Sequence, residues 1–202
     1  MKTIGNLLIG AGLMIVFLTF WPVAKEEIQY WSCKIGGRKY SLTVDSDFPE
    51  PKLEKIIPVD EDFGIIIPKI NANAKIFANV DPFEEKEFLP ILRQGIAHAK
   101  GTGFPGEGKN IYLFAHSTDS FFNFNKYNAV FYLIGKLEEG DEIDIFYQGK
   151  LFKYSVFEKM VVVPQEIQYL KPENEEILTL QTCYPPGTTL KRLIVRAKKL
   201  ET

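Results

Sequence analysis

Residues 177–197 read ILTLQTCYPPGTTLKRLIVRA, two β-like runs joined by a turn. The first run alternates polar and apolar residues, and the second is rich in Leu, Ile and Val, as is typical of strands. The Pro-Pro-Gly turn between them predicts that the two runs are antiparallel neighbours. The stretch therefore indicates a β-rich fold with a thiol, Cys183, at the end of a strand.

The position of Cys183 leaves two interpretations open. Side chains on a strand alternate between its two faces. Cys183 therefore shares the more polar face with Ile177, Thr179 and Gln181, opposite Leu178, Leu180 and Thr182. A polar face at a strand end suits a nucleophile, because strand ends display reactive groups on a rigid scaffold. A buried Cys also commonly serves as a small hydrophobe, and spacing alone does not decide between the two.

An arginine follows the turn. Arg192 opens the second run, and the turn brings it towards Cys183, but Arg196 lies on the same face by alternation. An Arg offers several donors and a permanent charge, which suits it to stabilise a developing oxyanion. A solvated strand charge is the alternative, and periodicity does not choose between the two arginines.

The chain has two histidines. His116 ends the apolar run IYLFA and is followed by polar residues, so it lies at a strand end facing a loop. His98, in GIAHAKGTG, also lies near a turn. A general acid or base needs such a titratable group within reach of the nucleophile, and a polar surface residue is the alternative for either.

The remainder of the body reads as short strands. β-rich runs separated by Gly-, Pro- or Asn-containing breaks begin at about Asp62: FGIIIPKI, AKIFANV, NIYLFAH, DEIDIFYQ and KLFKYSVFEKMVVV, followed by the two opening runs. Residues 81–95 predict a helix, with Asp81 as N-cap, Pro82 at its first position and Gly95 beyond its end. A shorter helical stretch is predicted at 166–170. Many strands with few helices favour a closed or nearly closed barrel.

The N-terminal residues 1–24 differ from the body. Residues 4–24 carry no charge, and a helix of about twenty residues spans about 30 Å, the thickness of a bilayer core. We interpret them as an uncleaved transmembrane signal anchor rather than a cleaved signal peptide or a buried helix. Lys2 against Lys25 favours an extracytoplasmic body. Residues 25–61 are interpreted as a membrane-proximal linker, with a hairpin around Gly36-Gly37, and 62–202 as the folded domain.

Several functional classes are disfavoured. A net charge of −2 without a basic block argues against nucleic-acid binding. GTGFPG at 101–106 and GFPGEGK at 103–109 resemble phosphate loops, but a strand rather than a helix follows them. The two Cys and two His form no zinc-ligand pair, so no metal or cofactor is expected. A Cys33–Cys183 disulfide is not favoured, because Cys33 lies in the membrane-proximal segment.

Together these motifs resemble the sortases, cysteine transpeptidases of the bacterial surface. The family's T-L-x-T-C motif matches residues 179–183 in full, and its Arg, at the start of the last strand, matches Arg192 rather than Arg196. Its N-hydrophobics-G-H motif matches 110–116, with Ala115 in place of the usual Gly. GIAHAKGTGFPGEGKN resembles the family's G-x-x-H…PG-x-G-N stretch, which makes His98 family-typical but not catalytic.

The resemblance covers roughly residues 62–200 and implies a fold and a reaction. It implies an eight-stranded β-barrel catalytic domain with one or two short helices, on a single-pass anchor in the bacterial cell membrane. It implies cleavage of an LPXTG-like sorting signal between Thr and Gly through a thioester on Cys183. His116 would protonate the leaving amine and Arg192 would hold the carbonyl or oxyanion. An amine acceptor, either a peptidoglycan precursor or a pilin Lys, would then take the protein.

The implied pair has a pH consequence. With reference pKa values of about 8.5 for Cys and 6.5 for His, thiolate and imidazolium coexist in of order 1% of molecules at pH 7. We therefore expect a bell-shaped pH profile centred between those values. Two alternatives remain: a hydrolytic cysteine peptidase that uses the same residues, and a non-catalytic membrane-tethered binding barrel in which Cys183 only fills space.

Overall fold

The computed structural model describes residues 56–117 and 130–201, together with scattered positions between 6 and 32. Within the two continuous ranges, eight strands form a closed barrel. The strands are β1 Phe63–Ile67, β2 Ala72–Val80, β3 Ile96–Ala99, β4 Ile111–Phe114, β5 Glu142–Tyr147, β6 Lys150–Val162, β7 Ile177–Tyr184 and β8 Lys191–Lys199. In the same two ranges, one α-helix, α1, spans Glu85–Leu92, and three short 3-10 helices span Pro68–Ile70, Ile134–Lys136 and Gln168–Leu170.

The order of strands around the barrel is β1-β2-β3-β4-β7-β8-β6-β5, and β5 pairs with β1 to close it. The pairs β2–β3 and β4–β7 are parallel, and the other pairs are antiparallel. Because β4 and β7 are parallel neighbours, they end at the same rim of the barrel. Strand β8 runs antiparallel to β7 and therefore begins at that rim.

Alternating apolar side chains fill the barrel interior. Each strand contributes Ile, Leu, Val or Ala residues on one face, among them Ile65, Leu113, Leu180 and Val195, which are buried in one cluster. Closure leaves no unpaired strand edge. The predicted mainly-β, eight-stranded barrel is thereby confirmed.

Helix α1 begins later than predicted. Glu84, not Asp81, is its N-cap, with the Glu84 side chain accepting from the Lys86 amide. Asp81 instead accepts from the amide of Phe83 at 2.9 Å, which closes a tight turn ahead of the helix. Pro82 therefore lies in this turn and not at the first helical position.

Two other elements compare differently with the sequence prediction. The short helical stretch predicted at 166–170 contains the 3-10 helix Gln168–Leu170. Strand β3 was not among the predicted runs. It has only four residues, IAHA, and its parallel pairing with β2 is a long-range contact that leaves no local signal.

The segment before β1 packs along the barrel wall. Asn73 on β2 accepts from the amide of Val59 at 2.9 Å and donates to the carbonyl of Ile57 at 2.7 Å. Asp60 forms an ion pair with Lys75 at 2.7 Å. A Cβ on Gly64 would lie only 2.1 Å from the Asp60 carbonyl oxygen, so the close approach requires a glycine there. The segment that leads into β1 is therefore held against the barrel from about residue 57.

The predicted anchor over residues 4–24 and the hairpin around Gly36-Gly37 lie mostly outside the described residues. The described positions between 6 and 32 are helical. They include Ile28 and Trp31, which lie in the run before Gly36-Gly37 that the predicted hairpin requires as its first strand, so the strand prediction is wrong at these residues. No helix among the described residues is long and apolar enough to cross a membrane.

The Gly-rich loop that resembles a phosphate motif binds an internal carboxylate. The amides of Gly106 and Gly108 donate to Glu176, which also accepts from the hydroxyl of Tyr154 and pairs with Lys199. The backbone amides of the loop are thus occupied by a side chain that precedes β7. The Gly-rich loop therefore resembles a phosphate-binding loop because its amides bind an anionic group, here the carboxylate of Glu176.

Candidate active site

Cys183 and Arg192 lie opposite each other on neighbouring strands. In the antiparallel β7–β8 register they form a directly opposed pair, and such pairs lie on the same face of a sheet. Leu178 and Leu180 point into the barrel core, so Cys183 and Gln181 point outward. The predicted antiparallel neighbours and the face assigned to Cys183 are both confirmed.

His116 reaches the same rim from β4. Beyond the last β4 residue, the amide of Ala115 donates to the Gln181 carbonyl at 3.1 Å. The hydroxyl of Thr182 donates to the Ala115 carbonyl at 2.9 Å. These bonds extend the parallel β4–β7 pairing to the residue before His116. His116 is partly exposed and lines a cleft together with Cys183 and Arg192.

The cleft has a volume of about 470 Å³. Gln181, Cys183 and Arg192 lie on β7 and β8, and Gly187, Thr188 and Thr189 in the β7–β8 turn form one edge. The apolar part of the lining comes from the turn before α1, from α1 and β4, and from the connection between β6 and β7: Phe83, Phe88, Leu89, Leu92, Phe114, Pro164, Ile167 and Leu170. Its size and apolar walls suit an extended peptide of a few residues.

Helix α1 forms this apolar wall by packing on the outside of the barrel. Phe88 meets Phe114 edge to face with ring centroids 6.0 Å apart. Leu92, Tyr112 and Phe114 belong to a second buried cluster, separate from the barrel core. The two outward side chains of β4, Tyr112 and Phe114, are therefore buried in this second cluster.

Two influences act on the Cys183 thiol. Burial raises its pKa, because desolvation disfavours the thiolate, and the nearby Arg192 charge opposes this shift. The net direction is upward. Arg192 is thus the group that favours the nucleophilic form of Cys183, and the neutral thiol predominates at neutral pH.

The structure distinguishes the two arginines that alternation could not separate. Arg192 donates to the backbone carbonyls of Thr189 and Lys191, both at 3.1 Å, and no carboxylate of the described residues pairs with it. Arg196 lies opposite Thr179 and forms ion pairs with Glu158 at 3.0 Å and with Glu173. Arg196 is occupied in packing, whereas Arg192 carries its charge into the cleft.

His98 lies in the barrel core. It is fully buried, its ring packs against Phe63 and Phe104, and its Nε2 lies 2.9 Å from the Gly103 carbonyl. Its Nδ1 accepts from the amide of Asn79 at 3.3 Å, so Nε2 carries the hydrogen that it donates to Gly103. Burial lowers the pKa of His98, which keeps this ring neutral.

Tyr112 supports the cleft from behind Gln181. The Tyr112 hydroxyl donates to Gln181 Oε1. Burial raises the pKa of Tyr112, so the hydroxyl keeps its proton and remains a donor. Sequence reasoning assigned no role to Tyr112, although its alternation with Leu113 places it on the same outward face as Phe114.

Asn110 and Thr179 form a buried, hydrogen-bonded pair. Both lie in motifs that carry the family resemblance, but the resemblance assigned neither residue a role. The Thr179 hydroxyl donates to Asn110 Oδ1 at 2.8 Å, and Asn110 Nδ2 donates to the Tyr169 carbonyl at 2.7 Å. A second, longer contact of 3.5 Å reaches the Lys171 carbonyl. The pair fixes the β6–β7 connection, residues 163–176, against the starts of β4 and β7.

The remaining sequence expectations concern metals and the second cysteine. Among the residues that the structure describes, no group of three or more His, Cys, Asp or Glu side chains is arranged to hold a metal ion. Cys183 is a free thiol. Cys33 lies outside the described residues.

Comparison with protein families matches the part of the chain that forms the barrel. The sortase domain model matches residues 65–200, from the first strand of the barrel to the end of the last. Sortase D of Bacillus subtilis (strain 168) is 30% identical over 142 residues. The match covers 68% of this chain and 63% of that protein, so the chain spans less than two thirds of the relative's length.

Solved structures with the same fold give a consistent result. A lid mutant of sortase A from Corynebacterium diphtheriae has 28% identity and a TM-score of 0.58, covering 71% of this chain and 72% of that one. A sortase D transpeptidase from Clostridium perfringens has 31% identity and a TM-score of 0.58, covering 73% and 84%. With its closed barrel, its cleft and this match along two thirds of its length, the chain belongs to the sortase family.

Proposed function

We propose that this protein is a cysteine transpeptidase that cleaves an LPXTG-like sorting signal and transfers the released acyl group to an amine. The observation that carries the proposal is the register that sets Cys183 opposite Arg192, with His116 in the same cleft. A thiol, an imidazole and an unpaired guanidinium supply a nucleophile, an acid and an oxyanion donor.

The first half of the reaction forms a thioester. The Cys183 thiolate attacks the carbonyl carbon of the Thr in the signal, and Arg192 stabilises the developing oxyanion. The C–N bond to the following Gly breaks as the His116 imidazolium gives its proton to the leaving amine. The acyl group is then held on Cys183, and His116 is neutral.

The second half transfers the acyl group. An acceptor amine enters where the leaving amine departed and attacks the thioester carbonyl, while neutral His116 takes a proton from the attacking nitrogen. The C–S bond breaks and Cys183 returns to the thiolate. The acceptor, a peptidoglycan-type amine or a pilin Lys, thereby becomes amide-linked to the sorted protein.

The proposal includes an anchor in the bacterial cell membrane with the barrel on the outer side. It is supported by the uncharged run 4–24 and by the exposed apolar side chains of the described helical positions there, such as Leu13 and Phe17. The full chain should remain in the membrane fraction after an alkaline wash, whereas a chain that begins at residue 25 should be released. Release of the full chain would contradict the anchor.

Intact-mass analysis of the full chain in detergent tests the reaction. After mixing with an LPXTG peptide, we expect a mass increase equal to the acyl fragment that ends in Thr. The adduct should be absent from Cys183→Ala and present in Cys33→Ala, which removes the only other thiol. An added amine should convert the released product from the acid to the amide.

Other outcomes separate the alternatives. An adduct that yields only acid in the presence of several amines favours a hydrolytic peptidase. No adduct with any variant of the motif, together with peptide binding that Cys183→Ala leaves intact, favours a binding barrel and overturns the transpeptidase proposal.

A further inference from the structure

A second cavity lies next to the cleft, separated from it by a shared wall. Its volume is about 290 Å³. Pro82, Phe83, Ile167 and Leu170 line both spaces, so these side chains form the wall between them. The cleft residues Cys183, His116 and Arg192 do not line the second cavity, which lies beyond the apolar end of the cleft.

The charge of the second cavity is entirely positive. Its lining includes Lys100 and Lys171 and no Asp or Glu, whereas the cleft is lined by Glu85 and Glu166 as well as Arg192. Both lysines are exposed, and neither forms an ion pair with any described carboxylate. The nearby Thr102 hydroxyl already donates to the Ala99 carbonyl at 2.8 Å, which leaves the two ammonium groups as the polar feature of the cavity.

The distance from the nucleophile follows from the strand register. Asn110 links Thr179 to the backbone of Tyr169, two residues before Lys171. Thr179 lies four residues before Cys183 on β7, which corresponds to about 13 Å at about 3.3 Å per residue. An extended peptide whose acyl carbon is on Cys183 therefore needs about four residues to run along β7 to the level of Thr179, and Lys171 lies beyond that level.

The proposed reaction assigns the acyl half of the substrate to the apolar side of the cleft. The acyl half stays on the enzyme through the thioester, whereas the amine half leaves. With the motif in the cleft, the residues immediately before it would lie next to Lys100 and Lys171.

We propose that the cavity between Lys100 and Lys171 binds an acidic side chain of the sorted protein, located just before the sorting motif, at the fifth or sixth residue before the cleaved bond. The inference rests on the proposed function, because the distance is counted from an acyl group on Cys183. Its ligand is a carboxylate on a peptide, held by complementary charge and excluded from the catalytic groups by the Phe83–Ile167 wall.

Two peptides test the proposal. They share the LPXTG motif and differ only at the fifth and sixth residues before the Thr–Gly bond, which are Asp-Asp in one and Asn-Asn in the other. Binding is measured by fluorescence anisotropy with the full chain carrying Cys183→Ala, so that no reaction is needed. At about 50 mM salt we expect the Asp-Asp peptide to bind about three- to tenfold more tightly, as two exposed charge pairs allow.

Three controls test whether Lys100 and Lys171 cause the preference for the Asp-Asp peptide. It should fall to about onefold in the Lys100→Gln/Lys171→Gln variant and persist in Lys150→Gln, which removes an exposed lysine from the start of β6. It should also weaken at about 500 mM salt, where screening is strong. No detectable binding, equal binding of the two peptides, or a preference that survives the double substitution would overturn the proposal.

The failure of the proposed function has a different signature. Adduct formation by the unsubstituted chain with the Asn-Asn peptide tests transpeptidation alone. An Asp-Asp preference without any adduct would leave an acidic-peptide site on a protein that does not acylate. An adduct without the preference would leave the transpeptidase and remove the acidic site.

Discussion

The Cys183 thiol lies between burial, which raises its pKa, and the Arg192 charge, which lowers it. Arg192 can act in this way because its register opposite Cys183 brings it into the cleft and no described carboxylate neutralises it. Arg196 has the same charge on the same face four residues further along β8, but Glu158 and Glu173 neutralise it. Two arginines of one strand thus have different chemical roles.

We predict that Arg192→Gln raises the pKa of Cys183 further, because it removes the attractive charge that Arg192 exerts on the thiolate. The pH dependence of Cys183 alkylation by iodoacetamide reports this pKa directly. Its midpoint should lie above the ordinary cysteine value in the unsubstituted chain and move to still higher pH in the variant. Acyl-adduct formation should fall by about 100-fold or more through loss of the oxyanion donor.

Arg196→Gln is the matched control. It removes an equal charge from the same strand. Because Glu158 and Glu173 already neutralise that charge, the alkylation midpoint of Cys183 should stay unchanged. An equal shift in both variants would mean that overall charge, and not the opposed pair, determines the reactivity of Cys183.

At the scale of elements, the β6–β7 connection is tied to the barrel at three points. Asn110 binds the Tyr169 carbonyl, Arg196 binds Glu173, and the Gly106–Gly108 loop binds Glu176. The connection supplies Ile167 and Leu170 to the cleft wall. The position of this wall is therefore set by residues outside the cleft.

We predict that Asn110→Ala lowers the free energy of unfolding by about 1–3 kcal/mol, because it leaves the Thr179 hydroxyl and the Tyr169 carbonyl without their partner. It should also raise KM for the sorting peptide more than it lowers kcat, since the cleft wall loses its support but the reacting groups remain. Chemical denaturation and steady-state kinetics measure the two effects.

Asn73→Ala provides the control for that variant. It breaks the comparable side-chain bonds to the backbone of Ile57 and Val59 on another part of the barrel. It should cost stability and leave KM unchanged. A similar rise in KM in both variants would show that general loosening, and not the β6–β7 connection, weakens peptide binding.

The sequence predicted those elements whose pattern is local. Alternation in ILTLQTC gave the outward face of Cys183, and the turn at 185–187 gave the antiparallel neighbour that carries Arg192. Strand β3 escaped because four residues with a central His98 carry little β signal. The N-cap was misplaced because Asp81 favours a cap and a turn equally, and only the packing of α1 decides between them.

The candidate site was predicted only in part, because a sequence pattern records local structure and not contacts between distant residues. Position on a face was readable, but register was not, so alternation left Arg192 and Arg196 equivalent. The family resemblance chose Arg192, and the strand pairing places that residue opposite Cys183. Tyr112 and Asn110 were missed because their partners, Gln181 and Tyr169, are more than fifty residues away. No local pattern records such contacts.

At the scale of the whole molecule, the described part of the barrel carries a buried carboxyl group on the outer face of β5, opposite the core residues Ile143 and Ile145. Asp144 lies on β5 between Ile66 of β1 and Lys153 of β6, and it is only 1% exposed. Its Oδ1 has no hydrogen-bond partner among the described residues, and Lys153 approaches no nearer than 3.9 Å. Burial raises the pKa of Asp144 to about 6.

The raised value makes folding stability depend on pH. Because the folded pKa lies above the ordinary value of 3.8, the neutral carboxyl is favourable below about pH 4, and this stability is lost as the pH rises through about 6. We predict that Asp144→Asn, which mimics the neutral form, raises the free energy of unfolding by about 2–3 kcal/mol at pH 8. The gain should disappear near pH 4.

Thermal unfolding at several pH values measures the effect. Glu142→Gln is the control, since it removes a neighbouring carboxylate that is 54% exposed and pairs with the same Lys153. It should change Tm little at any pH. A gain in Asp144→Asn that is equal at pH 4 and pH 8 would contradict ionisation as its cause.

The parallel pairing of β4 with β7 also determines when the site can first exist. The two strands are joined by contacts between residues 69 apart in the chain, such as Asn110 with Thr179, and such long-range pairing forms late in folding. Strand β8, which carries Arg192, follows β7 in the chain. A chain still being synthesised therefore holds Cys183 apart from His116, and the proposed site assembles only when the barrel closes.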